Sequence, residues 1–266
     1  MTSPGIIHPV LSSIQHVLQN LPFFVSTLIF VIPLQIILDY FDIMLETKET
    51  TGEDNSFELM ASLILLIPAF LIYTAYAYSW HKQFLTSEAV NHNPINLTSN
   101  YTLFLKKTLW ITVITFFIGL LLILPGIAMA FMAITGSELM AAIGMLLMMV
   151  GMIIAMYWIL PYWLALPAAA LGQNIPIKEA KAHSKPHHFR FFLTTCFYGL
   201  IFIIVLLIFS FLLVGISTAL FGVSFDELDI TAQSLFRIPL NVVSLLFTAA
   251  YVGILCQYYT FLFKEN

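Results

Sequence analysis

Between residues 178 and 190 the chain gathers its densest set of ionisable side chains. Lys178, Lys181, Lys185 and Arg190 alternate there with His183, His187 and His188. Four cations in so short a stretch suit an anion. The i, i+4 spacing of His183 and His187 is that of two metal ligands on one helix face. Pro186 falls between them and interrupts the regular helix such a pair requires. A basic connection is also drawn to anionic lipid headgroups, by about 1 kcal/mol for each Lys or Arg near the surface. That chemistry needs no helix, and it marks Lys178, Lys181, Lys185 and Arg190 as lipid-contacting residues with no metal or cofactor assigned.

Three other groups of residues invite a chemical reading. Met129, Met132, Met140, Met145, Met148, Met149, Met152 and Met156 are eight of the eleven methionines. Thioethers at helical spacing can pass Cu(I); they also fill irregular apolar gaps. Gly144, Gly151 and Ala155 on the same stretch favour close packing, so packing is the expected role. Asp39 and Glu58 flank one connection and read as ordinary interface residues in an acidic loop. Cys196 and Cys256 lie inside apolar runs and read as small hydrophobes, not as a disulfide. There is no His-Glu-x-x-His, Gly-x-Ser-x-Gly or Gly-x-x-x-x-Gly-Lys pattern, and no catalysis is expected.

The elements that hold these residues follow from composition. Of 266 residues, 60% are hydrophobic and 9% are charged, against about 25% charged in soluble domains. The mean hydropathy is +0.95. Such a chain belongs in a membrane. Six segments reach the roughly 20 apolar residues that cross a bilayer core. They run over about 21–38, 59–80, 109–134, 139–160 (continuing to 171), 191–220 and 238–263. Almost unbroken apolar runs such as Leu200–Val214 exclude the alternation of a β-barrel. The predicted fold is all-α and polytopic: six transmembrane helices preceded by an amphipathic segment over 1–20, with 21–266 as the membrane domain. Residues 6–20 place Ile7, Val10, Leu11, Ile14, Val17 and Leu18 on one stripe, fit to lie on the membrane surface.

Charge sets the expected orientation. Lys82, Lys106, Lys107, Lys178, Lys181, Lys185, Arg190 and Lys264 fall on one side, leaving only Lys48 and Arg237 opposite. Positive residues mark the cytoplasmic side, so both termini are expected there. The leader-like basic start of a signal peptide is missing, and the first span is expected to stay in place. Tyr73, Tyr76, Tyr78, Trp80 and Trp110 read as interface anchors. Pro33, Pro68, Pro125, Pro161 and Pro167 are expected to kink their helices, with Pro125-Gly126 the strongest breaker. The cores of spans three to six carry no Asp, Glu, Lys, Arg or His, which speaks against proton relays and ion pathways.

Two stretches carry a resemblance. Leu105–Ala130 leads from a basic-aromatic entry into an apolar helix with Leu124-Pro125-Gly126. Tyr157–Leu193 runs from a proline-bearing helix end, through a short turn and a helix with Glu179-Ala180 and Ser184, to the next basic-aromatic entry. This order resembles bacterial inner-membrane proteins of the YciC type and the membrane domain attached to some glycerophosphodiester phosphodiesterases. The resemblance implies a multi-pass protein of a bacterial cytoplasmic membrane. It supplies no catalytic residues, and the phosphodiesterase's catalytic domain has no counterpart here. The expected role is non-catalytic: support of envelope or lipid homeostasis, or scaffolding of membrane partners. The alternative is a transporter or channel for an apolar or neutral solute. The expected partners are membrane lipids and a membrane protein or second copy of the chain, not nucleic acid.

Overall fold

The computed structural model describes residues 5–51, 56–86, 99–133, 138–222 and 228–263; the expectation resting on Lys264 lies outside the described residues. Among the described residues the secondary structure is helical and contains no strand. In order come α1 (Ile7–Gln19), α2 (Leu21–Thr51), α3 (Ser56–Leu85), α4 (Ser99–Ala133), α5 (Glu138–Trp163), α6 (Ala165–Ala170) and α7 (Ile177–Ser184). A 3-10 turn (Lys185–His187), α8 (His188–Phe221), α9 (Ile230–Phe236) and α10 (Ile238–Phe263) follow.

Six stretches are long and apolar enough to span a membrane: Leu21–Lys48, Ser56–Leu85, Asn100–Met129, Leu139–Ala170, Ile177–Leu220 and Ile230–Phe263. They coincide with the six predicted spans, and the chain is an all-α polytopic membrane protein. Several helices outrun the bilayer core. The 35 residues of α4 rise about 52 Å, against a core of about 30 Å. Its first turns, which carry Lys106 and Lys107, therefore extend an apolar span with a polar lead.

The prolines lie inside continuous helices. Helices α2, α3 and α4 continue through Pro33, Pro68 and Pro125, and α5 continues through Pro161 before ending at Trp163. A proline removes one ladder bond, and a long membrane helix keeps the others. Next to Pro125, Gly126 serves contact rather than a break. A Cβ there would sit 2.5 Å from Met148 Cγ and 2.7 Å from the Gly144 carbonyl oxygen.

The chain packs as two compact units. One holds Thr98–Thr195 and Leu255–Asn266 together with Met1–Ile6. Its centre is the α4–α5 pair, drawn together at Gly126 and at Gly151, where a Cβ would collide with the Leu122 carbonyl. Small residues permit such backbone approach. Met148 serves this packing, as predicted. Met145, Met149 and Met152 instead face outward, where lipid would cover them.

The other unit holds Ile7–Leu97 and Cys196–Ile254. Here α1 does more than rest on a surface. Val10, Ser13 and Val17 are fully buried, His16 stacks on Phe84 at 4.3 Å, and Gln83 Nε2 donates to Asn20 Oδ1 at 2.9 Å. Ile7, Leu11 and Leu18 remain exposed. The predicted stripe is thus shared between the protein and the outside. Burial pushes the His16 imidazole below its usual 6.5. Trp80, expected as an interface anchor, is fully buried among Phe23, Phe24, Tyr76 and Phe84. Tyr76 and Tyr78 are buried too, whereas Trp110 is exposed as an anchor would be. Composition at a span's end reveals aromatic content but not which face turns inward.

Candidate functional site

The predicted basic connection is built by a sharp helix end. Helix α6 is buried along its whole length and stops at Gly172, whose φ of +80° suits a residue without a side chain. Gly172 N–H donates to Ala169 O at 3.0 Å and Gln173 N–H to Ala168 O at 2.9 Å, the paired bonds of a Schellman ending. Pro176 is extended (φ −60°, ψ 141°) and starts α7. Glu179 lies in the first turn of α7 and Lys181 and His183 in its last, each on the end that the helix dipole favours. Pro186 lacks an N–H, and the chain passes through a 3-10 turn there before α8 begins.

Three contacts fix this segment. Lys107 Nζ donates to Ile175 O at 2.9 Å, Tyr259 donates to Gln173 Oε1 at 2.5 Å, and the Thr194 and Tyr258 hydroxyls share a bond at 2.8 Å. Phe191 packs on Tyr258 with ring centroids 4.6 Å apart.

A pocket of about 640 Å³ opens beside it, lined by Tyr157, Trp158, Lys178, Lys181, Ala182, Lys185 and His188. The lysines recur at i, i+3 and i+7 and so share one side. Ala182 between them adds only a methyl group. Helix α5 supplies the aromatic wall. Lys181 Nζ lies 5.9 Å from the centre of the Trp158 ring and 5.2 Å from that of Tyr162, and donates to the Tyr162 hydroxyl at 3.2 Å. Cation–π attraction of this kind holds a lysine without neutralising it. His188 stacks on Tyr157 at 4.1 Å and its Nε2–H donates to the Tyr157 carbonyl at 2.5 Å. The ion pairs among the described residues are Lys48–Glu58 and Arg237–Asp42. No carboxylate among those residues neutralises Lys178, Lys181 or Lys185.

The structure therefore brings three of the four predicted lipid-contacting residues into one pocket. Arg190 lies beyond it on α8 and is not among the lining residues. The histidines are divided. His188 lines the pocket, while His183 and His187 turn to Phe263 and Phe261, at 4.7 and 5.0 Å between ring centroids. Among the described residues no group of three His, Cys, Asp or Glu side chains could hold a metal ion. Sequence reasoning missed Tyr157 and Trp158 as partners of the lysines. The available signal was a pair of aromatics at the end of an apolar span.

A second polar group lies in the other unit. Asp39 is 8% exposed. Asn241 Nδ2 donates to one carboxylate oxygen at 2.6 Å and Gln35 Nε2 to the other at 3.0 Å, while the Tyr73 hydroxyl donates to Gln35. Glu58 is 3% exposed and bonded to Lys48 at 2.7 Å. Neither acid is the ordinary interface residue expected. Asp39 accepts from Gln35 one turn earlier on α2 and from Asn241 on α10, and Glu58 is bonded through Oε1 to Lys48 of α2, contacts that offset the cost of burying charge. Lys48 and Arg237, the two cations on the acidic side, each meet an acid.

The chain matches no protein-family model, no curated protein and no solved structure.

Proposed function

We propose that this chain is a non-catalytic protein of a bacterial cytoplasmic membrane, with both termini in the cytoplasm. Its role is to hold anionic lipid at its basic face in support of envelope or lipid homeostasis or of a membrane assembly. The YciC-like order of Leu105–Ala130 and Tyr157–Leu193 belongs to the same proposal. One observation carries it: Lys178, Lys181 and Lys185 converge on a pocket walled by Tyr157 and Trp158, with no neutralising carboxylate among the described residues. Uncompensated ammonium groups beside an aromatic belt match the chemistry of the membrane interface.

The test is lipid retention. Replacing Lys178, Lys181 and Lys185 together by Gln should strip co-purified anionic lipid while leaving zwitterionic lipid in place, as read by native mass spectrometry. Anionic lipid retained equally by variant and parent would refute the proposal.

A further inference from the structure

Resting on that reading, we infer that the pocket selects a lipid whose headgroup ends in a phosphomonoester over lipids whose phosphate is a diester. The ammonium groups set the charge to be matched. Three face one cavity from a single side of the α7 segment. A phosphomonoester carries about −1.5 to −2 at neutral pH and three strong acceptor oxygens, whereas a diester carries one negative charge and two unesterified oxygens. The spare charge and the spare oxygen suit a cavity lined by three lysines. Lysine donates as a compact point charge and does not require the planar geometry an arginine fork reads, so a terminal phosphate suits it from any side. Ala182 also lines the cavity and adds only a methyl group. His188 commits Nε2 to the Tyr157 carbonyl, so the lysines supply the charge.

The rest of the lipid has a path. From Trp158 an exposed apolar stripe continues along α5 through Ile154, Val150, Leu147 and Ile143, at helical steps of three and four. Acyl chains lying on this stripe would hold the phosphate at the pocket. Inorganic phosphate offers the same acceptors with no such anchorage.

The experiment uses the purified full chain and native mass spectrometry at neutral pH. Phosphatidate is compared with phosphatidylmethanol, a diester of similar headgroup size, and with phosphatidylcholine, all with identical acyl chains. Phosphatidate should be retained about tenfold over phosphatidylmethanol, a difference of about 1.4 kcal/mol. Changing the three lysines to Gln should abolish the preference, and changing them to Arg should restore anion retention. Excess inorganic phosphate at matched ionic strength should not displace the lipid. Equal retention of the two anionic lipids, both lost in the Gln variant, would overturn the monoester preference and leave the anionic-lipid role standing. Retention of neither above phosphatidylcholine would overturn both. Ready displacement by inorganic phosphate would show a soluble phosphate site and overturn the lipid as occupant.

Discussion

Gly151→Ala and Gly119→Ala should shift stability in opposite directions. Both glycines lie inside long helices, α5 and α4. In isolation, either change favours the helix by roughly 0.5–1 kcal/mol, because alanine loses less backbone entropy. Their surroundings decide the sign. A Cβ at Gly119 meets nothing within 4 Å, so that gain should survive. A Cβ at Gly151 would overlap the Leu122 carbonyl. That obstacle is backbone, and no rotamer change removes it, so α4 and α5 must separate. Overpacking of this kind costs about 1–3 kcal/mol and should outweigh the helical gain. The two variants should therefore differ by about 2 kcal/mol, with Gly151→Ala the less stable. Unfolding in a mild detergent, followed by the exposure of buried Cys256 to a thiol probe, would measure it. Two variants that move together, or a stabilised Gly151→Ala, would refute the close α4–α5 approach.

Other predictions follow from the second unit and from topology. Asp39→Ala leaves the Asn241 and Gln35 amides without their acceptor, at about 0.6 kcal/mol each by the membrane scale; a loss of about 1 kcal/mol is expected in the same unfolding assay. Asp39→Asn should cost less, since one amide oxygen can still accept. Because burial lowers the His16 pKa below 6.5, the unfolded state takes up the proton first as pH falls. The docking of α1 should thus be fully present above pH 6.5 and weaken below it, as hydrogen exchange over residues 7–19 would show, and His16→Phe should remove that part of the dependence. In a background lacking Cys196 and Cys256, His183→Cys should resist membrane-impermeant thiol reagents in intact cells and react after permeabilisation; rapid external labelling would reverse the orientation.

Span positions were legible because about twenty consecutive apolar residues are an unambiguous physical signal. What a span does with its polar and aromatic residues was less legible. Asp39 sits where the first apolar run ends; Gln35 is one helical turn before it, but only the packing of α2, α3 and α10 brings Asn241 to Asp39 and Tyr73 to Gln35. Trp80 lies at the end of its span as an anchor would, yet its side chain turns inward against Phe23. Pro125 lies inside α4, which continues through it because a membrane helix keeps its remaining backbone bonds. At the candidate site the lysines announced themselves by charge. Their aromatic wall did not, since nothing local says that α7 folds back beside Tyr157 and Trp158. The turn that brings it there hangs on Gly172 and on contacts from Lys107 and Tyr259, far away in sequence.

The most direct test is an electron cryomicroscopy map of the chain in nanodiscs containing phosphatidate and phosphatidylcholine. Headgroup density is expected among Lys178, Lys181 and Lys185, with chain density running from Trp158 along the exposed face of α5. A well-resolved pocket without headgroup density, or one filled by a protein side chain, would contradict it.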